Sequence, residues 1–267
     1  MDASVVFPIY KPDKKILKKA VDAVKKQKFS GKFEVLLIDE NAGFADQMNR
    51  GIKRAKYPFV VMLPQDCVPA NDKWLENLVA PFKDKKVVAA VSRVKYPGYL
   101  WNSLNIFAKS LLIKEKGVLV SLLDGKGGAY RKSVMKDVGL FDDKNFLYAG
   151  EDFDTYMKIK DRGKIAYPNA TILHIHPSSF RARLRKNYQY ANAYGALVGI
   201  YGTKMHRWWL GIINALPIIG IASYILSYPF KKGLWLFPIF ILTSVVNHPF
   251  YIKGFWKGLF DKKQTVR

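Results

Sequence analysis

The chain has 267 residues, 49% of them apolar, enough for one large or two small domains with a sizeable core. Lys and Arg number 44 against 21 Asp and Glu, a net charge of +23, and no zinc-finger, RNP-like or helix-turn-helix pattern accompanies it, so composition alone favours neither nucleic acid nor membrane as its partner. The single cysteine, Cys67, excludes a disulfide framework and a cysteine-based zinc site and points to a reducing compartment.

In chain order, Ser4 to Ile9 is a β-rich run, too short for a signal-peptide core, so the N-terminal part is expected in the cytoplasm. Asp13 to Lys28 carries Ile16, Leu17, Ala20, Val21 and Val24, the apolar stripe of a Lys-rich helix. Phe33 to Ile38 and Phe59 to Leu63 are continuous apolar runs that read as buried strands, with Phe44 to Ala55 helical between them. Asp72 to Phe82 reads as a helix and Val87 to Val91 as a further strand. Strands without alternation, separated by amphipathic helices, predict a parallel sheet covered on both faces. Ligands bind beyond the carboxyl ends of such strands, where Asp39 and Asp66 both fall. Either could simply begin a turn; together they point to a ligand with phosphates and a metal.

Pro97 to Lys114 is apolar for a connection and suits a core helix or an interfacial helix beside an acceptor entrance. Arg131 and Lys132, near the turn Gly125-Lys126-Gly127-Gly128, could bind diphosphate or be a solvated basic turn. Gly150 to Asp154 reads GEDFD, three carboxylates within four positions. Such crowding raises a pKa by mutual repulsion, which suits a group that must take a proton. It also suits a helix N-terminus, since Asp154 to Ile165 has helical character. His174 and His176 are two apart and face the same way on a strand.

After Asp161 the only acid is Asp261, while Lys and Arg continue, so the second half favours an anionic partner. Trp208 to Phe230 and Gly233 to Ile252 lack Asp, Glu, Lys and Arg, and each approaches the roughly 20 residues of a membrane-crossing helix. Trp208, Trp209, Tyr228, Trp235, Tyr251 and Trp256 sit at or near their ends as in interfacial belts. Pro217, Pro229, Pro238 and Pro249 leave room for kinked or re-entrant segments. Basic residues from Arg181 to Arg207 and from Lys253 to Arg267 flank the pair, with only Lys231 and Lys232 between, which places both flanks in the cytoplasm and predicts anionic lipid as a partner.

These motifs, in their order and spacing, resemble an inverting family 2 glycosyltransferase of the GT-A fold over about residues 3 to 180. Val5 to Tyr10 is similar to the family's opening strand, and Glu34 to Asp39 to its second, whose last Asp contacts the base. Asn41 to Ala45 and Met48 to Gly51 look like the donor-side segment. Phe59 to Pro69 with Trp74-Leu75 looks like the strand that ends in the metal-binding acid. Gly127 to Asp142 resembles the acceptor-side element, Gly150 to Asp154 the E-D motif, and Ile172 to His176 the strand closed by the family histidine. Two features depart from the pattern. Asp39 and the Asn41 segment are almost adjacent, and Pro64-Gln65-Asp66 keeps only the last acid of D-x-D.

The resemblance implies an α/β GT-A domain, Rossmann-like with a mostly parallel sheet and helices on both faces, over 1–180. A basic segment at 181–207, a pair of transmembrane or membrane-inserted helices at 208–252 and a basic tail at 253–267 would follow. It implies Asp152 as base with Glu151 beside it, and donor contacts from Pro8, Tyr10, Asp39, Asn41, Phe44, Asn49, Asp66 and Arg131. Mn²⁺ or Mg²⁺ would be held by Asp66 and His174. The expected activity is transfer of a sugar from a nucleotide-sugar donor to a lipid-linked, polyprenyl-phosphate type saccharide at the cytoplasmic face of the cell membrane. A synthase of the same fold that charges polyprenyl phosphate with one sugar, and a silent membrane scaffold, are the alternatives.

Overall fold

The computed structural model describes residues 1–40, 42–176 and 178–264. They form two compact units. A sheet unit takes residues 1–97, 117–143 and 151–176, and a helical unit takes 98–116, 144–150 and 177–267. The units do not follow one cut near residue 180, because two internal segments group with the C-terminal helices.

The sheet unit begins with β1 (Ala3–Pro8), α1 (Lys14–Lys25), β2 (Phe33–Ile38), α2 (Phe44–Arg54) and β3 (Phe59–Met62). Every residue of β1 is buried, as its unbroken apolar run predicts. Asp13 caps α1, its carboxylate accepting from the Lys15 and Ile16 amides at 2.9 and 3.1 Å. β1 pairs in parallel with β2 and with β3. Then come β4 (Cys67–Pro69), α3 (Trp74–Val79), β5 (Val87–Val91) and β6 (Arg93–Lys95). After the excursion into the helical unit, the chain supplies β7 (Val118–Leu119), β8 (Gly128–Arg131), α6 (Lys132–Asp137), α7 (Glu151–Ile159), β9 (Lys164–Ala166) and β10 (Thr171–His174).

The main sheet runs β2-β1-β3-β8-β5-β9, and a smaller one runs β4-β10-β6-β7. The main sheet is mostly parallel, as expected; β8 is the exception, antiparallel to both β3 and β5. Its residues Ala129 and Tyr130 are fully buried, so burial alone could not reveal its direction. The helix expected over 154–165 is also shifted. It begins at Glu151 and ends at Ile159, and Ile165 lies in β9.

The core between sheet and helices holds Val6, Met48, Ile52, Val60, Met62, Val91, Tyr130 and Phe141. Gly51 lets α2 lie close on β1, because a Cβ there would overlap the Val6 side chain. That explains a glycine the sequence placed in the donor segment.

The helical unit contains α4 (Gly98–Ser103), α5 (Ile106–Leu112), α8 (Phe180–Tyr201), α9 (Trp208–Asn214), α10 (Pro217–Leu226) and α11 (Phe237–Asp261). α8 and α11 run parallel: Asn187 bonds Asn247 at 2.9 Å, and Gly195 and Gly199 lie against Phe255 and Leu259. Gly195, Gly254 and Gly258 bring the two backbones together, since a Cβ at any of them would meet main-chain atoms of the other helix. Among the described residues one helical stretch, Leu234–Asp261, is long and apolar enough to cross a membrane. The other expected segment is broken: α9 and α10 meet at 112°, with Pro217 starting the second.

The polarity of α11 is inverted. Thr243, Ser244, Asn247 and His248 are buried, whereas Leu242, Val245, Val246 and Phe250 are between 42% and 55% exposed. The buried groups are satisfied inside the unit, Thr243 by Ser110 at 2.8 Å and His248 by the Leu216 carbonyl at 2.9 Å.

Gly51→Ala is expected to destabilise the protein by about 1–3 kcal/mol, because overpacking must displace α2 or Val6. Thermal unfolding of the purified variant beside wild type checks this.

Candidate active site

The first centre forms where β3 hands over to β4. β10 lies antiparallel to β4 with His174 opposite Cys67, and the Ile175 amide donates to the Asp66 carbonyl at 2.8 Å. This register sets His174 Nε2 3.3 Å and His176 Nδ1 3.7 Å from Asp66 Oδ2. The two imidazoles stack, 5.6 Å apart and 5° from parallel. Tyr96 donates its hydroxyl to the His176 carbonyl at 3.1 Å and fixes the chain there. Burial pulls the Asp66 carboxyl up, but the hydrogen bond and charge of His174, with the charge of His176, outweigh it and hold the pKa at about 2. Asp66 is therefore ionised at neutral pH. Its oxygen and the two imidazole nitrogens lie within 4.8 Å of one another and could hold a metal ion. One carboxylate and two imidazoles suit Mn²⁺ better than Mg²⁺, which prefers oxygen.

The second centre is built on a turn. Gly128 opens β8 opposite Met62, and the Gly127 amide donates to the Met62 carbonyl at 2.8 Å. The turn before it, Asp124 to Gly127, is thus held at the carboxyl end of β3, the end that continues to Asp66. A Cβ at Gly125 would lie 3.3 Å from the Phe44 ring and 3.4 Å from Glu151 Oε1, so this turn, α2 and α7 converge. Asp124 is buried and accepts from Ser121 at 3.0 Å and from Lys126, whose ammonium is 2.8 Å away. Asp152 is partly exposed, and its carboxylate accepts from the Phe153 amide at 2.7 Å. Desolvation pushes Glu151 up, and the charge of Asp152 adds to it. Desolvation and the Asp124 charge push Asp152 up as well, while Lys126 and backbone amides oppose the rise. Among the described residues, Glu151 Oε2 and Tyr130 Oη are buried without a hydrogen-bond partner. A neutral, protonated Glu151 is the form that such burial favours.

The third acid of GEDFD belongs elsewhere: Asp154 pairs with Lys158 at 2.6 Å, one turn along α7. The carboxyls that interact at the turn are Asp124, Glu151 and Asp152. Nothing local marks Asp124, and Lys126 is marked only by its place in the glycine-rich turn. His176 did carry a signal, its two-residue spacing from His174.

The remaining site residues divide. Pro8 is buried at the carboxyl end of β1, and Tyr10 beyond it is 54% exposed. The Gln65 amide accepts from the Tyr10 amide and donates to its carbonyl, both at 2.8 Å, so Gln65 clamps this loop where an acid would give no such pair. Asp39 is exposed just past β2. Asn41 lies outside the described residues. Two residues are not brought to the site. Asn49 is buried and ties α2 to the chain after α6, donating to the Phe141 carbonyl at 2.9 Å and accepting from the Phe141 amide at 3.0 Å. Arg131 lies opposite Phe59, at the far end of β3, and donates to the Val87, Phe82 and Asp84 carbonyls at 2.6 to 3.0 Å. Its guanidinium stacks over Phe59 and Phe82, so Arg131 fixes the foot of the sheet.

The fold has counterparts among solved structures. A mannosyltransferase from Pyrobaculum calidifontis, solved with GDP-mannose and Mn²⁺, is similar over 98% of this chain and 88% of its own, with a TM-score of 0.62 and 14% identity. The structure of GalNAc-T7 with UDP, GalNAc and Mn²⁺ is similar over 80% of this chain and 50% of its own, at a TM-score of 0.55 and 17% identity. This is the GT-A class of fold. Residues 4–192 match the family described as glycosyltransferase like family 2, so the chain belongs to that family and is a glycosyltransferase. The O-antigen chain rhamnosyltransferase WbaN of Salmonella anatum is 31% identical over 143 residues. That match spans 49% of this chain and 45% of the relative's length.

The raised carboxyls make a stability prediction. A Glu151 carboxyl raised above its unfolded value costs stability once pH passes about 4, and the cost grows until pH passes about 8. Glu151→Gln is expected to raise the melting temperature relative to wild type by about 5 °C at pH 9, and by less at pH 5. Melting curves of both proteins across that range decide it.

Proposed function

We propose that the protein is an inverting glycosyltransferase that works at the cytoplasmic face of the membrane and moves a sugar from a nucleotide-sugar donor to a lipid-linked saccharide. The observation that carries this reading is the pair of centres at the carboxyl end of β3: an ionised Asp66 beside two imidazoles, and two carboxyls, Glu151 and Asp152, whose proton affinity is raised by burial. The first suits a cation and a diphosphate; the second suits a hydroxyl that must lose its proton. Names of similar proteins agree, since one transfers rhamnose in O-antigen synthesis and another binds GDP-mannose with Mn²⁺.

Asp66, His174 and His176 would hold the metal, which when bound supplies charge stabilisation to the departing diphosphate. Phe44 and the Gly125 turn wall the space beside Glu151. Asp152 would take the proton of the acceptor hydroxyl as its oxygen attacks the anomeric carbon. The bond from that carbon to the diphosphate oxygen breaks on the opposite face, and its electron pair leaves with the diphosphate. Glu151 keeps its own proton and so spares Asp152 a second negative neighbour. Lys126 offsets the charge of Asp124. Pro8, Tyr10 and Asp39 border the same strand ends and are the proposed donor contacts.

Membrane association is supported by the inverted polarity of α11 and by a basic second half with one acid after Asp161. The lipid-linked acceptor follows from that association.

Asp152→Asn is expected to lower kcat by about 100- to 10,000-fold with donor affinity unchanged; an active variant removes Asp152 as base. Asp66→Ala is expected to abolish Mn²⁺-dependent donor binding in calorimetry, and an unaltered titration would take it out of the metal site. Radiolabelled transfer with bare lipid phosphate and lipid-linked saccharide side by side tests the acceptor. Product on the bare phosphate alone would replace this reading with the monosaccharide-lipid synthase.

A further inference from the structure

We infer that the helical unit inserts into one leaflet only, with α11 lying along the membrane plane instead of crossing it. The inference rests on the membrane association proposed above and departs from the hairpin that the charge pattern suggested.

Both ends of α11 are tethered. Before its first turn, Lys232 donates to the Lys114 carbonyl at 2.6 Å, Lys116 donates to the Lys232 carbonyl at 2.8 Å, and Lys114 donates to Ser227 at 2.6 Å. Lys116 is joined directly to Gly117, where the sheet unit resumes. Beyond its last turn, the Gln264 amide donates to the Asn145 carbonyl at 2.6 Å, and its side chain accepts from the Tyr148 and Ala149 amides at 2.6 and 3.1 Å. Asn145 is two residues past Asp143, and Ala149 two residues before Glu151, both in the sheet unit. Two residues reach at most about 7 Å. A crossing helix would part its ends by about 30 Å of hydrocarbon. The sheet unit must stay on the side of a water-soluble donor, so both ends of α11 stay there too.

The same tether fixes the turn that carries Lys231 and Lys232. Positive-inside counting placed it across the membrane, but it is bonded to Lys114 and Lys116. α9 and α10 therefore go in and come back, which their 112° bend permits. They return along α11: Trp256 donates to the Ala215 carbonyl, His248 bonds Leu216, and Tyr224 stacks on Phe240.

The occupant of the outer face is an anionic bilayer leaflet. Ile218 and Leu226 on α10 are 83% and 82% exposed, and Leu242, Val245 and Val246 continue the apolar surface along α11. Exposed Lys204, Arg207, Lys231, Lys253 and Lys257 lie on the same elements or beside them, as headgroup phosphates require.

The test uses the full chain made in a cell-free system with inverted inner-membrane vesicles of phosphatidylethanolamine and phosphatidylglycerol, whose cytoplasmic face is outward. Lys231→Cys places a thiol in the turn, and Ser227→Cys is a second reporter there. Wild type supplies the background, because Cys67 is buried. An impermeant maleimide added outside is expected to label the variants close to completion without detergent. Labelling that appears only after detergent would overturn the one-leaflet arrangement and leave membrane association standing. Failure of the protein to float with the vesicles would overturn both.

Discussion

The ladder between β4 and β10 is the constraint on which the site depends. It sets His174 opposite Cys67, and with it fixes where two imidazoles meet the Asp66 carboxylate. A slip of one residue would turn both rings to the other face of the strand, because side chains alternate. The small sheet therefore has a job out of proportion to its size. It converts a negative charge at a strand end, which burial alone would neutralise, into one that stays ionised. A few residues away in space the opposite holds. At the Asp124 turn, Glu151 and Asp152 are pushed towards the protonated form by burial and neighbouring carboxylates. One strand end thus carries an acid held firmly in its charged form and others whose proton affinity is raised, and the separation is produced by neighbours and not by residue type.

Much of this was legible in the sequence. Val87 to Val91, Phe33 to Ile38 and the start of α2 at Phe44 fall where the apolar runs and turn residues placed them. Asp66, His174, Glu151 and Asp152 could be named because each closes or opens an element, where functional groups collect. The rest depended on contacts far apart in the chain. The direction of β8 is invisible in Gly-Ala-Tyr-Arg, since a doubly buried strand reads the same either way. Arg131 looked like a phosphate ligand because a free guanidinium and one bound to three carbonyls have the same letter. Asn49 was misplaced for the same reason: its amide is consumed by Phe141, 92 residues away. Asp154 sat in an acidic cluster, but on a helix its neighbour is four residues on, not two back.

The C-terminal half shows how composition can identify an environment without fixing a path. Two apolar stretches flanked by lysines led to an expectation of lipid contact, and α11 presents an exposed apolar face. Whether a chain crosses lipid or lies in it depends on what holds the ends. Here Lys114, Lys116 and Gln264 hold the ends of α11, through bonds between side chains and main chain that no hydropathy pattern records.

The Gln264 clamp also imposes an order of assembly. Its side chain satisfies the Tyr148 and Ala149 amides across 116 and 115 residues of intervening chain. A ribosome adding about 5–20 residues per second releases Gln264 seconds after Glu151 has emerged. Until then the segment leading into α7 lacks the partner for its amides. The sheet around Asp66 needs only residues up to His176 and can form earlier. The Asp66 cluster can thus form in the nascent chain before the segment that leads into Glu151 and Asp152 is secured.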